Sequence, residues 1–387
     1  MNRRYECILE ICGMGVKLLV GYSFQGKLYI IHALESTSAH LDRGQITDKE
    51  AMILSIKEVV NSASKSLELE IKDVNLVLPP INVKSLSEVG FTQTVSKDSI
   101  VSNFDVENAM MLIKKKVRFE GYHVVDIHPT AFIYDNSSSK FFEKGVYSNT
   151  LKVNADVTLM NEIFYNSFIE VVKAANLNVV STVVSTISDI VLLSTYNIPQ
   201  QFLFMDMGGT LTNLALTNQG QLVQSATLNF GSEDVTGHLM NTFKINYERA
   251  TYLKKVYGFM ENPKFHFKFE EGFGVKELTS ALEKAMMPVV EFTKNFIEEN
   301  HVEEFHPLLL TGGGADLNNI ETYLSSHFLT KVIVYNPEFI GARNKSYTNC
   351  VACLKYLELY PKSNELRQEK NFTLTRVDAK VDVDEEL

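Results

Sequence analysis

The chain has 387 residues, 45% of them apolar and 22% charged, which is ordinary for a folded protein and enough for two or three hydrophobic cores. Its 37 basic and 47 acidic side chains leave a net charge of −10, so no global positive field gathers nucleic acid, and no nucleic-acid partner is expected. Four cysteines, Cys7, Cys12, Cys350 and Cys353, are too few and too scattered for a disulfide framework and point to a reducing cytoplasm.

The opening MNRRYECILEIC starts with arginines as a signal peptide does, but Glu6 and Glu10 interrupt the apolar run, so it reads as a strand of the mature chain. Residues 5–29 hold two β-rich runs around Cys12-Gly13-Met14-Gly15 and a further turn at Gln25-Gly26, a hairpin or meander. Thr47-Asp-Lys-Glu50 has the form of a capping box, with the threonine hydroxyl accepting from the Glu50 N–H. The helix it opens carries Met52, Ile53, Ile56, Val59, Val60 and Ala63 on one face and ends near Leu67. Residues 74–78 then form a strand stopped by Pro79-Pro80.

From Asn82 to about Thr150, strands, one helix (105–116) and a loop of Asn136, Ser137, Ser138 and Ser139 read as a small α/β insertion. A helix (157–175), a strand (179–184), a helix (186–195) and a strand ending at Asp206 follow, the last opening on Gly208-Gly209. The most apolar long stretch, 178–198, contains Asp189 and repeated Ser and Thr, so it reads as a buried strand and helix rather than a bilayer span. A long helix (275–300), interrupted by Pro288, precedes an apolar strand (307–310) and Thr311-Gly-Gly-Gly314. Strands alternating with helices predict α/β layers. Residues 362–387 carry five basic and seven acidic side chains and no glycine, and read as a solvated tail with an edge-strand alternation at Val377, Ala379, Val381 and Val383.

Three glycine-bearing turns follow apolar strands: around Gly13, at Asp206-Met-Gly-Gly-Thr210, and at Thr311-Gly-Gly-Gly314. Phosphate binding needs backbone N–H groups aimed at an anion with no Cβ in the way, which glycines at strand ends supply. A carboxylate at such a strand end, as Asp206 is, can hold Mg²⁺ through water, and Glu10 stands in the analogous place on the first strand. Two similar halves facing a cleft would bring the two acids together.

With this arrangement the chain resembles the actin-like ATPases, and within them the FtsA family of bacterial cell-division proteins. The three turns resemble the family's two phosphate loops and its adenosine loop. More specific are Arg43-Gly-Gln-Ile-Thr-Asp48, the run Phe230-Gly-Ser-Glu-Asp-Val-Thr236, and Ala250-Thr-Tyr-Leu-Lys-Lys-Val-Tyr-Gly258; the matches span Ile8 to about Leu357. The resemblance implies an α/β, actin-like (ribonuclease H-like) two-domain fold with a nucleotide cleft and a small inserted subdomain 1C. Its parts would be 1–81 with 336–361 (1A), 82–152 (1C), 153–225 with 306–335 (2A), 226–305 (2B) and the acidic tail 362–387. ATP with Mg²⁺ would lie between the halves. Gly13, Met14 and Gly15 would face phosphate from one side, and Gly208, Gly209, Thr210 and Thr212 from the other. Asp206 and Glu10 would stand near the metal, Gly312, Gly313 and Gly314 by the nucleoside, and Lys254 near the ribose and adenine.

The departures carry information too. Glu10 stands where the first loop usually has Asp, and Cys12, Gly13, Met14 and Gly15 stand where it has Gly-Thr-Ser-Lys, so hydroxyl and ammonium donors to phosphate are missing. Thr210 replaces a glycine, Asn213 an acid, and Thr251 the glutamate that precedes the matched lysine by three. Ser185-Thr186 aligns with the position of a water-orienting side chain, so hydrolysis is expected to be slow or absent and a nucleotide to act as a ligand that stabilises a closed, polymer-competent state. The family's usual membrane anchor is a basic amphipathic helix; this chain has no Trp and its tail ends in Asp382, Asp384, Glu385 and Glu386, so membrane contact through it is doubtful.

Among the remaining features, Cys350-Val-Ala-Cys353 has redox or zinc half-site spacing without a second half and reads as two structural cysteines. His238 reads as a partly exposed helix residue, and Phe265-His-Phe-Lys-Phe269 as core packing in the region that, by resemblance, receives the C-terminal peptide of FtsZ. Lys114, Lys115, Lys116 and Arg118 form a basic helix face on the insertion, through which family members polymerise. The first functional expectation is an ATP-binding, FtsA-like filament protein, at most a slow ATPase, that organises FtsZ at the division site. The alternatives are an actin-like scaffold of another assembly, PilM-like, and a small-molecule kinase on the same core.

Overall fold

The computed structural model describes residues 5–36, 40–196, 198–199, 201–260, 268–302, 307–328 and 330–360. The expected acidic tail and Phe265–Phe267 of the phenylalanine run lie outside these; Phe269, within them, is buried against Phe273 and Tyr257.

Two five-stranded sheets share one topology. In the first, Lys27–Ser36, Gly15–Phe24 and Glu6–Cys12 form an antiparallel meander, and Asp73–Leu78 and Asn178–Val184 add in parallel beside Glu6–Cys12. The second repeats this with Gln221–Leu228, Thr212–Asn218 and Gln201–Met207 as the meander and Leu308–Thr311 and Val332–Val334 in parallel. Central strands such as Asp73–Leu78 are buried along their whole length, as expected where helices cover both faces. Each sheet has its own core, one around Ile8, Leu19, Ile56 and Leu76, the other around Met205, Leu239, Leu278 and Leu310.

The helices Ser185–Leu193 and Thr348–Leu359 pack on each other between these sheets. All nine residues of the first are buried: Ile187, Val191 and Leu192 face one core, while Ile190 and Leu193 pack with Phe202, Phe204 and Leu309 of the second sheet. Cys350 and Cys353 form no disulfide and are buried on the second helix.

A third sheet, ordered Val83–Gln93, Thr150–Asn161, Tyr122–Ile133 and Ser138–Ser139, is inserted after Leu78, with the helix Asn103–Lys116 packed on it. Lys114, Lys115, Lys116 and Arg118 are exposed there. The helix expected from residue 157 begins later. Leu151, Val153, Ala155 and Val157 are buried in alternation and residues 157–160 are all buried in the sheet, so the strand runs to Asn161, whose side chain then caps the helix Glu162–Ala174.

Two further expectations are corrected. Asp48, not Thr47, caps the helix Lys49–Leu67, its carboxylate accepting from the Ala51 N–H at 3.0 Å. The helix Val275–Glu299 continues through Pro288. Met287 and Pro288 lie on the solvent side while Ala285, Met286, Val289 and Val290 are buried, so core packing on the opposite face outweighs one lost backbone hydrogen bond.

Candidate functional site

A cavity of about 280 Å³ opens between the twin sheets, toward the small end of ligand sites. The first sheet contributes the hairpin between Glu6–Cys12 and Gly15–Phe24. Cys12 pairs with Gly15 around the two-residue turn Gly13-Met14, and the same register sets Lys17 directly opposite Glu10. The second sheet contributes the turn after Met207. Its carbonyls are held by the start of the helix Ser232–Phe243: Ser232 N–H donates to Gly208 O at 3.0 Å and Glu233 N–H to Gly209 O at 2.8 Å. Gly231 is required at that junction, since a Cβ there would lie 2.4 Å from Gly209 O.

The two turns touch across the cleft. A Cβ on Gly13 would meet Thr210 Oγ1 at 2.4 Å, and one on Gly209 would meet Met14 Sδ at 2.6 Å. The third turn follows Thr311. Gly312 has φ +89° and rests on Asp206 and Met207, Gly314 packs on Met207, and Gly313 faces open space. Of the expected residues, Glu10, Gly13, Met14, Asp206, Gly208, Gly209, Thr210, Lys254, Gly312 and Gly313 line the cavity. Gly15 closes the hairpin behind it, Thr212 turns away to donate to Phe230 O, and Gly314 lies under the third turn.

At the floor, Glu10 is 4% exposed and Lys17 7%. Lys17 Nζ donates to Glu10 Oε2 at 3.1 Å and to Ser346 O at 2.6 Å. Asn349, at the start of Thr348–Leu359, donates to Glu10 Oε1 at 2.8 Å and to Asp206 Oδ2 at 3.4 Å, joining the acids of the two sheets. Burial, which would lower the Lys17 pKa, is outweighed by its anionic surroundings, and the ammonium stays charged well above the ordinary lysine range. The turn Gly13-Met14 itself carries no ammonium; Lys17, further along the strand, brings one to the cavity wall. Lys254 is buried and donates to Ser232 O at 2.7 Å; burial first, opposed by Glu233, brings it down to about 8.

Sequence reasoning missed Lys17, Asn349 and Asp189. Asp189 sits one helical turn beyond Ser185, fully buried, with neither carboxyl oxygen hydrogen-bonded. Burial first, then the charges of Asp206 and Glu10, push it well above the usual carboxylate range. Thr186 is taken by Asn213, whose Nδ2 donates to its Oγ1 at 2.9 Å.

Burial and then Glu10 also push Asp206 up to about 6. Its carboxyl binds a proton more tightly in the folded chain than in the unfolded one, so its contribution to stability is full below the ordinary 3.8 and is lost as pH rises through about 6. Asp206→Asn should thus gain stability relative to the parent chain between about pH 4 and about pH 7. Thermal melts of both chains across that range check this; parallel pH profiles would overturn it.

This duplicated sheet topology, with turns from both halves on one cleft, is what the actin-like resemblance requires. A family profile described as "Cell division protein FtsA" matches residues 203–352. Proteins named cell division protein FtsA from Staphylococcus epidermidis and Streptococcus pneumoniae are 21% and 22% identical, covering 92% and 93% of this chain and 79% and 81% of their own. The chain is thus similar to FtsA proteins over most of its length. Among solved structures, the PilM-PilN type IV pilus biogenesis complex superposes with TM-score 0.64 at 15% identity, over 93% of this chain and 100% of its own. MreB5 of Spiroplasma citri bound to ADP superposes with TM-score 0.54 at 14% identity, over 94% and 99%. The fold of this chain is therefore the actin-like one. No helix among its described residues is long and apolar enough to cross a membrane.

The glycine turns and the lysines Lys17, Lys254, Lys255 and Lys345 on the cavity wall suit a phosphate ligand. The two acids do not suit a metal in the same way. Both oxygens of Glu10 already accept hydrogen bonds, and one carries an ammonium.

Proposed function

We propose that the cleft binds an adenine nucleotide, ATP or ADP, and that the bound nucleotide holds the two halves together in a filament-forming protein of bacterial cell division. The observation that carries this is the convergence of three glycine turns and four lysines on one cavity between twin sheets. In this reading the chain divides as the resemblance implies, with the inserted sheet as subdomain 1C. It acts at the division site, binds the C-terminal peptide of FtsZ through the region of residues 226–305, and self-associates through the insertion.

Turnover is slow in this reading. Asp189, one helical turn beyond Ser185, is fully buried and is not among the residues that line the cavity, so it is not placed to take a proton from water there. Titration calorimetry should give saturable heat with ATP and ADP, and phosphate release should stay far below the roughly 1–100 s⁻¹ of dedicated kinases. Co-sedimentation with FtsZ, competed by its C-terminal peptide, tests the partner. A chain that binds nucleotide but never FtsZ would instead be a scaffold of another assembly; one that binds no nucleotide would not have this function.

A further inference from the structure

A divalent cation beside bound phosphates would lean on Glu10 and Asp206 through water. The floor of the cleft is built otherwise. Strand pairing sets Lys17 opposite Glu10, and its Nζ lies 3.1 Å from Oε2. The other oxygen, Oε1, accepts from Asn349, which also reaches Asp206. Cys350 Sγ closes on Oε2 at 3.5 Å. Three of the roughly four lone-pair sites of Glu10 are therefore taken, and its charge is already matched by the Lys17 ammonium.

The strand sets where this ammonium falls. Gly15 stands where the resembled loop carries lysine, and strand side chains repeat every two residues, so residues 15 and 17 share a face. Residue 17 is rooted about 7 Å further along the strand than Gly15. Its ammonium therefore lies beside Glu10 rather than at the turn. There two of its three N–H donors are taken by Glu10 and Ser346, while the side chain still lines the cavity.

Resting on the nucleotide reading of the cleft, we propose that Lys17 Nζ takes the place of the divalent cation at Glu10, so that this chain holds its nucleotide phosphates without metal. A second cation at the same point would meet like charge in a buried setting, where screening is weak.

Calorimetry of the full chain with ADP, once in excess MgCl₂ and once in excess EDTA, tests this. The expected result is dissociation constants within about threefold of each other. Lys17→Met should weaken binding at least about tenfold in EDTA and recover part of it with Mg²⁺, whereas Lys17→Arg, which keeps the charge against Glu10 and so the fold, should stay metal-independent. Binding by the parent chain that appears only with Mg²⁺ overturns this inference alone, and so does undiminished binding by Lys17→Met in EDTA. No heat with ADP in either buffer overturns the nucleotide reading together with it.

Discussion

Gly312→Ala is expected to destabilise the whole chain by roughly 2–5 kcal/mol, while Gly313→Ala beside it changes stability by less than about 0.5 kcal/mol. Gly312 sits at φ +89°, a region that a residue with a Cβ occupies only under strain. Its Cβ would also fall 2.3 Å from Asp206 Oδ1 and 2.4 Å from Met207 O. The backbone oxygen cannot retreat, because Gln201–Met207 is the central strand of its sheet, paired on both sides. Gly313 has nothing within 4 Å of the same position. Urea unfolding of the two variants measures the contrast, and equal midpoints would refute the packing described for the third turn.

The second large effect concerns the buried pair. Glu10→Gln leaves the Lys17 ammonium buried against an uncharged amide and should cost roughly 3–5 kcal/mol, because the desolvation of a buried ion is then uncompensated. Lys17→Met in the same chain should restore much of that loss, since replacing both partners by neutral groups of similar shape is often close to neutral. The double-mutant cycle gives the coupling directly. Additive losses would mean that the pair does not interact in solution and would remove the basis for the metal-free site as well.

Much of the fold is legible in the sequence. The apolar face of Lys49–Leu67 and the strand Asp73–Leu78 ending at two prolines follow from spacing alone, because each has a single periodicity bounded by a stop signal. Residues 157–161 are not legible in this way, because the alternating strand Thr150–Asn161 runs straight into the helix Glu162–Ala174, and a helical window reads its end as the first turn. Local chemistry makes Pro288 a break, whereas the core beneath Val275–Glu299 decides that the helix goes on.

The same division runs through the site. The chain's residues alone determined the three glycine turns and the two acids, since strand ends and glycines are local features. The Glu10 and Lys17 pairing was also within reach: once Cys12 and Gly15 close a two-residue turn, residues 10 and 17 must stand opposite. What only the tertiary structure decided is the fate of the charge there. Asn349 is 339 positions from Glu10 in sequence, and Asp189 is isolated because two sheets close over its helix. Burial and long-range hydrogen bonds set which acids are paired and which are pushed above the usual carboxylate range, and neither leaves a periodic trace in the sequence.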